Sequence, residues 1–493
     1  GVALDLHAQA AAGAMAPIAA QLPLSGRTGQ AGAVVTAQNP VPSGSSVNTL
    51  SSSVQVEGDY QGSVPSSEVA GPPLQLSLAN AIRRGLESNL GDIGYRNSIR
   101  QARAQRQQAF SALLPTLNGY AQATEEQINL ASFGFHFSFP GFSIPAVVGP
   151  FHYVDARATL TQNVLNITAL RNYRASREAL AATQYAAEDA RDLVVLAVTG
   201  GYLQVIAAAA RMDSARAQVA AARAVYQQAM DRHDAGLAAR IDVTRSQVEL
   251  QVQQQRLTSE ETNYAKLKIQ LGRIIGLPPG QEFTLTDTVP YAPLTDLTIE
   301  QALTRAYANR ADLKAAQAQV QAAETAKRAA QAERYPYVDL YSDYGATGTA
   351  LQNSHGAFTV TGSVRFNIFD GGRISADVEA ADAALAQRRA ELADLRGQID
   401  AEVRQAFLDL TTAEEQVTVS QSNRQLAQDT LAQSRDRFAA GVADTVEVVQ
   451  AQEQVAAAEQ DYIASLYAHN LAKASLARAL GQADQNMQQF LGR

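Results

Sequence analysis

A block of this chain occurs twice, at a constant offset of 205 residues. Arg232-His-Asp-Ala-Gly236 through Arg273-Ile-Ile-Gly276 returns without a gap as Arg437-Phe-Ala-Ala-Gly441 through Arg478-Ala-Leu-Gly481. Gly236 pairs with Gly441, Asp242 with Glu447, Val243 with Val448, Gln247 with Gln452, Lys268 with Lys473, Leu271 with Leu476 and Gly276 with Gly481. That offset is far longer than the ~20–50 residues of a solenoid repeat. It implies two copies of one large supersecondary unit and a function that uses pseudo-symmetry. The expected division is an extended or disordered arm (1–73), a first repeat (74–283), a second repeat (284–482) and a short tail (483–493).

Proline placement says what each copy contains. All sixteen prolines fall outside the stretches 151–277 and 337–493. An interior proline costs a helix about 3 kcal/mol, so these stretches can carry very long helices. They are rich in Ala, Gln, Arg, Glu and Leu, all strong helix formers. Helices are expected over about 170–235 and 374–440, each roughly 100 Å long at 1.5 Å per residue. The returning helices carry a seven-residue stripe: Val243, Leu250, Leu257, Tyr264 and Leu271, matched by Val448, Val455, Tyr462, His469 and Leu476. Seven-residue spacing means supercoiled packing against neighbouring helices. Shorter helices are expected over 77–113 and 298–334, ending at Pro115 and Pro336.

Between the helices the period changes to two. Phe358, Val360, Gly362, Val364, Phe366 and Ile368 alternate with Thr359, Thr361, Ser363, Arg365 and Asn367. Val154, Ala156, Ala158 and Leu160 alternate with Asp155, Arg157, Thr159 and Thr161. One apolar and one polar face define a strand. With 116–126 and 337–345 as partners, each half supplies one hairpin, four strands in all. Strands of about ten residues match membrane-spanning barrel strands. Phe133, Phe135, Phe137, Phe139, Phe142, Phe151, Tyr153, Tyr335, Tyr337, Tyr341 and Tyr344 crowd the hairpin ends, as an aromatic girdle at a bilayer interface would. Four strands cannot close a barrel, and open edges cannot sit in lipid. Three copies would give twelve strands and twelve helical staves.

The inventory excludes other classes. Without cysteine there is no disulfide, thiolate metal site or thiol nucleophile. The six histidines (7, 136, 152, 233, 355 and 469) have no metal-ligand spacing, and no phosphate-cradling glycine loop or nucleophile elbow occurs. No enzyme, metal or cofactor is therefore expected. A net charge of −8 argues against nucleic acid. No run of ~18 apolar residues, and so no transmembrane helix, is expected. The sequence opens on Gly1, so any signal peptide is expected to be absent from it already, and glycine at that position offers no attachment point for a thioether-linked lipid.

At this point the chain resembles the TolC-like outer-membrane efflux channels, the outer membrane factors of tripartite pumps. The resemblance covers about 74–482. It rests on the duplication, on the helix–strand–strand–helix order, and on specific words. Ile368-Phe-Asp370-Gly371-Gly372-Arg373 looks like the family's strand-to-helix turn, with Val164-Leu-Asn-Ile-Thr as a degenerate first copy. Arg232-x3-Gly236-x5-Asp242-Val243-x3-Gln247 and its second copy look like the family's helical hairpin tips.

The resemblance implies a mainly α, mixed α/β membrane protein with an internal duplication. Four strands per chain would build a homotrimeric 12-stranded β-barrel in the bacterial outer membrane, continuous with a long α-helical barrel in the periplasm. The function implied is a passive exit duct for efflux or type I secretion. Its partners would be a periplasmic adaptor and an inner-membrane RND, ABC or MFS transporter. Gly236, Leu237, Ala238, Gly441, Val442 and Ala443 would meet the adaptor. Asp242, Phe438, Asp444, Glu447 and Gln450 would lie at the periplasmic aperture, with Glu447 giving a ring of three carboxylates that favours cations. Here the chain departs from the family. Phe438 stands where a tyrosine is expected, Ala443 where an arginine is, and Gln450 where a second acidic ring is. Apart from any resemblance, Asp242, Asp444 and Glu447 also suit a helix N-terminus. The competing class is a periplasmic or surface coiled-coil protein without a pore.

Overall fold

The computed structural model describes residues 32–38, 50–56, 59–65, 72–134, 138–139, 142–143, 145–287, 291–293 and 297–491. Phe135, Phe137, His7 and His136 lie outside them. The chain begins with β1 (Gly32–Gln38), β2 (Leu50–Val56), β3 (Leu74–Leu76), α1 (Leu78–Ser88) and α2 (Leu90–Ser111). It continues with β4 (Thr116–Asn129), the short β5 (Ser138–Phe139) and β6 (Phe142–Ser143), β7 (Val147–Leu165), α3 (Ile167–Asp234) and α4 (Arg240–Ile274). The second copy holds β8 (Phe283–Leu285), α5 (Ile299–Asn309), α6 (Ala311–Ala332), β9 (Tyr337–Gly348), β10 (Ser354–Arg365), α7 (Arg373–Ala439), α8 (Thr445–Ala479) and α9 (Ala483–Phe490). Two compact units emerge, and each draws on both copies. One contains Arg100–Ala181 and Ala318–Ala390; the other contains Arg27–Ile99, Ala182–Gln317 and Glu391–Arg493.

The first unit is built on a four-stranded antiparallel sheet in the order β10-β9-β7-β4. Its register sorts the side chains as the alternation requires, because residues directly opposite share a face. One face carries Leu117, Ala121, Ala156, Ala158, Leu160, Ala346, Tyr344, Phe358 and Val360; the other carries Tyr120, Asp155, Arg157, Thr159, Asp343 and Thr359. The apolar face is uncovered: Leu117, Tyr344 and Phe358 are 70–75% exposed. One expectation is corrected here. The register sets Tyr153, Tyr337 and Tyr341 in line with the aspartates on the polar face, so Tyr344 and Phe358 are the strand aromatics on the apolar one. Period two dictates this, since 337 and 341 share parity with 339 and 343. β10 also stops at Arg365, leaving Phe366 and Ile368 beyond the strand.

The two long helices run 68 and 67 residues, about 100 Å each. Within α3 an 18-residue window has mean hydropathy 2.0 and is mostly buried. This corrects the expectation that no such run exists. The stretch is core: Leu193–Val198, Tyr202 and Val205 pack with Leu76, Leu78, Leu271 and Ile275. Gly200, mid-helix, is where β2 crosses. A Cβ there would meet Val54 Cγ2 at 2.3 Å. The stripe of α8 is the more buried copy, with Val448, Val455, His469 and Leu476 all inside.

The shorter helices, expected to be continuous, are each broken once. Asn89 leaves the helix with ψ 134°, and Arg310 with ψ 122°. At the first break the N-terminal segment supplies the missing partners. Leu90 N donates to Gly62 O and Val64 N to Ser88 O, each at 2.9 Å. Asn89 Nδ2 donates to the Tyr60 carbonyl at 2.6 Å, and the Tyr60 ring is buried against Gly91. At the second break Arg310 is buried and makes two bonds to Asp312, at 3.0 and 2.5 Å, and one to Glu402 at 2.5 Å. Within 1–73, β1 and β2 form an antiparallel hairpin, and just after that segment β3 pairs in parallel with β8.

Candidate functional site: the helical hairpin tips

Both tips end their first helix in the same way. At the first tip Leu237 N donates to Arg232 O and Gly236 N to His233 O, both at 2.8 Å; Gly236 sits at φ +72°. At the second, Val442 N donates to Arg437 O at 3.0 Å and Gly441 N to Phe438 O at 3.1 Å; φ is +76°. These are Schellman ends, which place a left-handed residue just past the helix and so select glycine. The turn leaves Leu237 and Val442 about two-thirds or more exposed, at 73% and 67%. Ala238 and Ala443 are half-buried beside them.

The return helices start differently. The Asp444 carboxylate accepts from Glu447 N at 3.1 Å and caps α8, whereas Ala239, in the corresponding place on α4, has no side-chain cap. Asp242 lies 4.0 Å from Arg245, one turn along α4. Glu447 Oε1 is 3.1 Å from Arg437 Nε, so its charge is partly matched within its own chain. Gln450 is exposed.

Phe438 is only 4% exposed and packs with Val225, Leu431, Val448, Ala451 and Val455. A hydroxyl at that ring would be buried, and the chain instead supplies a cation. The Arg232 guanidinium stacks 4.7 Å from the Phe438 ring centroid and donates to the Phe438 carbonyl. Sequence reasoning missed this clamp. The duplicated arginines 232 and 437 were its only signal, and they take different partners: a ring and carbonyl for one, a carboxylate for the other.

The strand-to-helix turn is a separate construction. The Asp370 carboxylate accepts from Gly372 N and Ile374 N, each at 3.0 Å, and these donors hold its pKa below the usual carboxylate range. Gly371 and Gly372 both have positive φ. Asn166 does the same job at the start of α3, its side chain accepting from Ala169 N at 2.9 Å. Among the described residues no cluster of His, Asp or Glu is arranged to hold a metal ion.

Comparison with known proteins agrees with this architecture. The family model "Outer membrane efflux protein" matches residues 95–277 and 302–482. No curated protein matches the chain. Among solved structures, a membrane protein from Pseudomonas aeruginosa aligns with TM-score 0.72 and 18% identity, over 86% of this chain and 92% of that one. The outer membrane protein VceC of Vibrio cholerae aligns with TM-score 0.70 and 19% identity, over 82% and 96%. The CmeC outer membrane channel of Campylobacter jejuni aligns with TM-score 0.71 and 16% identity, over 84% and 89%. At such identities these structures establish the fold, and the family model, matching most of the chain in both copies, establishes the family. The coiled-coil alternative without a pore finds no support. The chain belongs to the outer membrane efflux protein family: it is an outer-membrane exit duct of a tripartite efflux pump, not an enzyme, and works with a periplasmic adaptor and an inner-membrane transporter.

Proposed function

We propose that three copies complete the sheet into a twelve-stranded barrel, and that the hairpin tips form both the adaptor contact and the resting closure. One observation carries this reading. A four-stranded sheet with an uncovered apolar face and two unpaired edges is stable in lipid only when further strands close it. Leu237, Ala238, Val442 and Ala443, with the turns at Gly236 and Gly441, present small and apolar surface for adaptor helices to pack against. Asp242, Asp444, Glu447 and Gln450 border the aperture, and Phe438 serves it from inside the protomer as the seat of Arg232. The repeats 74–283 and 284–482 are the two halves of one stave set, with 1–73 as an accessory segment and 483–493 as a tail. The transporter is of the RND, ABC or MFS class, and the same duct would serve type I secretion.

The test is reconstitution of the purified protein in planar bilayers, with parallel electrophoresis in SDS before and after heating. A heat-dissociable trimer with stepwise conductance is expected; a conducting monomer, or a trimer without conductance, would refute it. Leu237→Asp with Val442→Asp should abolish cross-linking to the adaptor while conductance persists.

A further inference from the structure

The joint between the two repeats lies inside the sheet, where β7 of the first copy pairs with β9 of the second. Arg157 stands at the middle of that joint, directly opposite Gly345 and, on its other side, Tyr120. Its Nη1 donates to Asp343 Oδ1 at 3.0 Å, across the joint and two pairs along. Its Nε donates to Asp155 Oδ1 at 2.8 Å, and Tyr120 Oη donates to Asp155 Oδ2 at 3.3 Å. Asp343 is only 4% exposed, so loss of this partner would strand a buried carboxylate. The joint is also sterically keyed. A Cβ on Gly345 would lie 2.1 Å from Arg157 Cβ and 2.4 Å from the Ala156 carbonyl. A slip of two residues keeps every side chain on its proper face, so hydrophobic patterning alone does not forbid it. It would bring Asp343 or Thr347 opposite Arg157, where there is no room for a Cβ.

We propose that Arg157 and Gly345 together form a register lock that sets the stagger between the two halves, and through it the bore of the duct. This rests on the barrel reading above. In a closed barrel, strand number and stagger jointly fix tilt and radius. A two-residue slip in each of three chains changes the stagger by about six, so an error at this one joint propagates to the whole pore. Arg157 is thus a positioning residue, acting on conduction through the geometry of the wall.

The chain lacks cysteine, so engineered pairs report register directly. Leu160 is opposite Ser342, and a slip of two brings it opposite Tyr344 or Leu340. In the otherwise native chain, Leu160→Cys with Ser342→Cys should oxidise to a disulfide, and Leu160→Cys with Tyr344→Cys or Leu340→Cys should not. Adding Arg157→Gln or Gly345→Ala should move part of the population to a slipped pair, with a matching shift in single-channel conductance. If Arg157→Gln prevents assembly, the exchange of Arg157→Asp with Asp343→Arg should restore it together with the native cross-link. Native cross-links alone in both single variants, or an exchange that fails to rescue, would overturn the lock. Absence of a trimer in the unaltered chain would overturn the barrel reading instead.

Discussion

Two glycines share one backbone conformation and differ in surroundings, which allows strain and crowding to be measured apart. Gly236 at the tip has φ +72° and nothing within 4 Å of an added Cβ. Gly481, after α8, has φ +67°, and an added Cβ would meet Arg310 Cα and N at 2.8 Å and Asn309 C at 3.1 Å. These are backbone atoms of the α5–α6 break, which the buried Arg310 side chain holds through its ion pairs to Asp312 and Glu402, so they yield little. Alanine at Gly236 costs the left-handed conformation alone, about 1–2 kcal/mol. Alanine at Gly481 adds overpacking of about 1–3 kcal/mol, for a total of roughly 2–5 kcal/mol. Thermal melting of detergent-solubilised protein, followed by circular dichroism, should show a drop for Gly481→Ala about 1.5 to 4 times that for Gly236→Ala. Equal drops, or a larger one at Gly236, would refute the view that this break is a rigid packing point.

Three further outcomes are expected. Tyr60→Ala removes a fully buried ring that seats the first helix break, and should cost about 3–5 kcal/mol in the same melt, with a truncation of residues 1–65 at least as damaging. His469 is fully buried; desolvation and the Lys473 charge hold its pKa down to about 4, and Glu414, 3.7 Å away, does not offset them. The unfolded chain takes up a proton near pH 6.5 that the folded chain refuses, so stability present above that pH is lost as pH falls towards about 4; the loss is roughly 2 kcal/mol at pH 5, and His469→Tyr should flatten it. Arg232→Ala removes a cation–π contact and a hydrogen bond worth together about 1–2 kcal/mol, and should raise resting conductance in planar bilayers, whereas unchanged conductance would show that the clamp does not hold the tip closed.

Features with a local period were legible in the sequence. The seven-residue stripe, the strand alternation and the tip glycines all act within two helical turns or a pair of residues, and α3 and α7 begin and end within a few residues of the expected positions. Features decided by distant partners were not legible. The break at Asn89 depends on Tyr60, 29 residues away, and that at Arg310 on Glu402, 92 residues away. The hairpin of β1 and β2 forms in a segment expected to be an extended or disordered arm, and its seat is set by a distant partner, Val54 meeting Gly200. At the tips the glycines followed from sequence, but the Arg232–Phe438 clamp joins residues 206 apart. The apolar run in α3 reads as a membrane span by composition, and only its burial assigns it to the core.

The central claim is that this chain forms a trimeric duct, and imaging tests it most directly. Protein extracted from outer membranes in mild detergent should appear by negative stain as a three-fold cylinder with an open axis and a helical barrel about 100 Å long. Monomers, or solid rods without a central channel, would contradict the account.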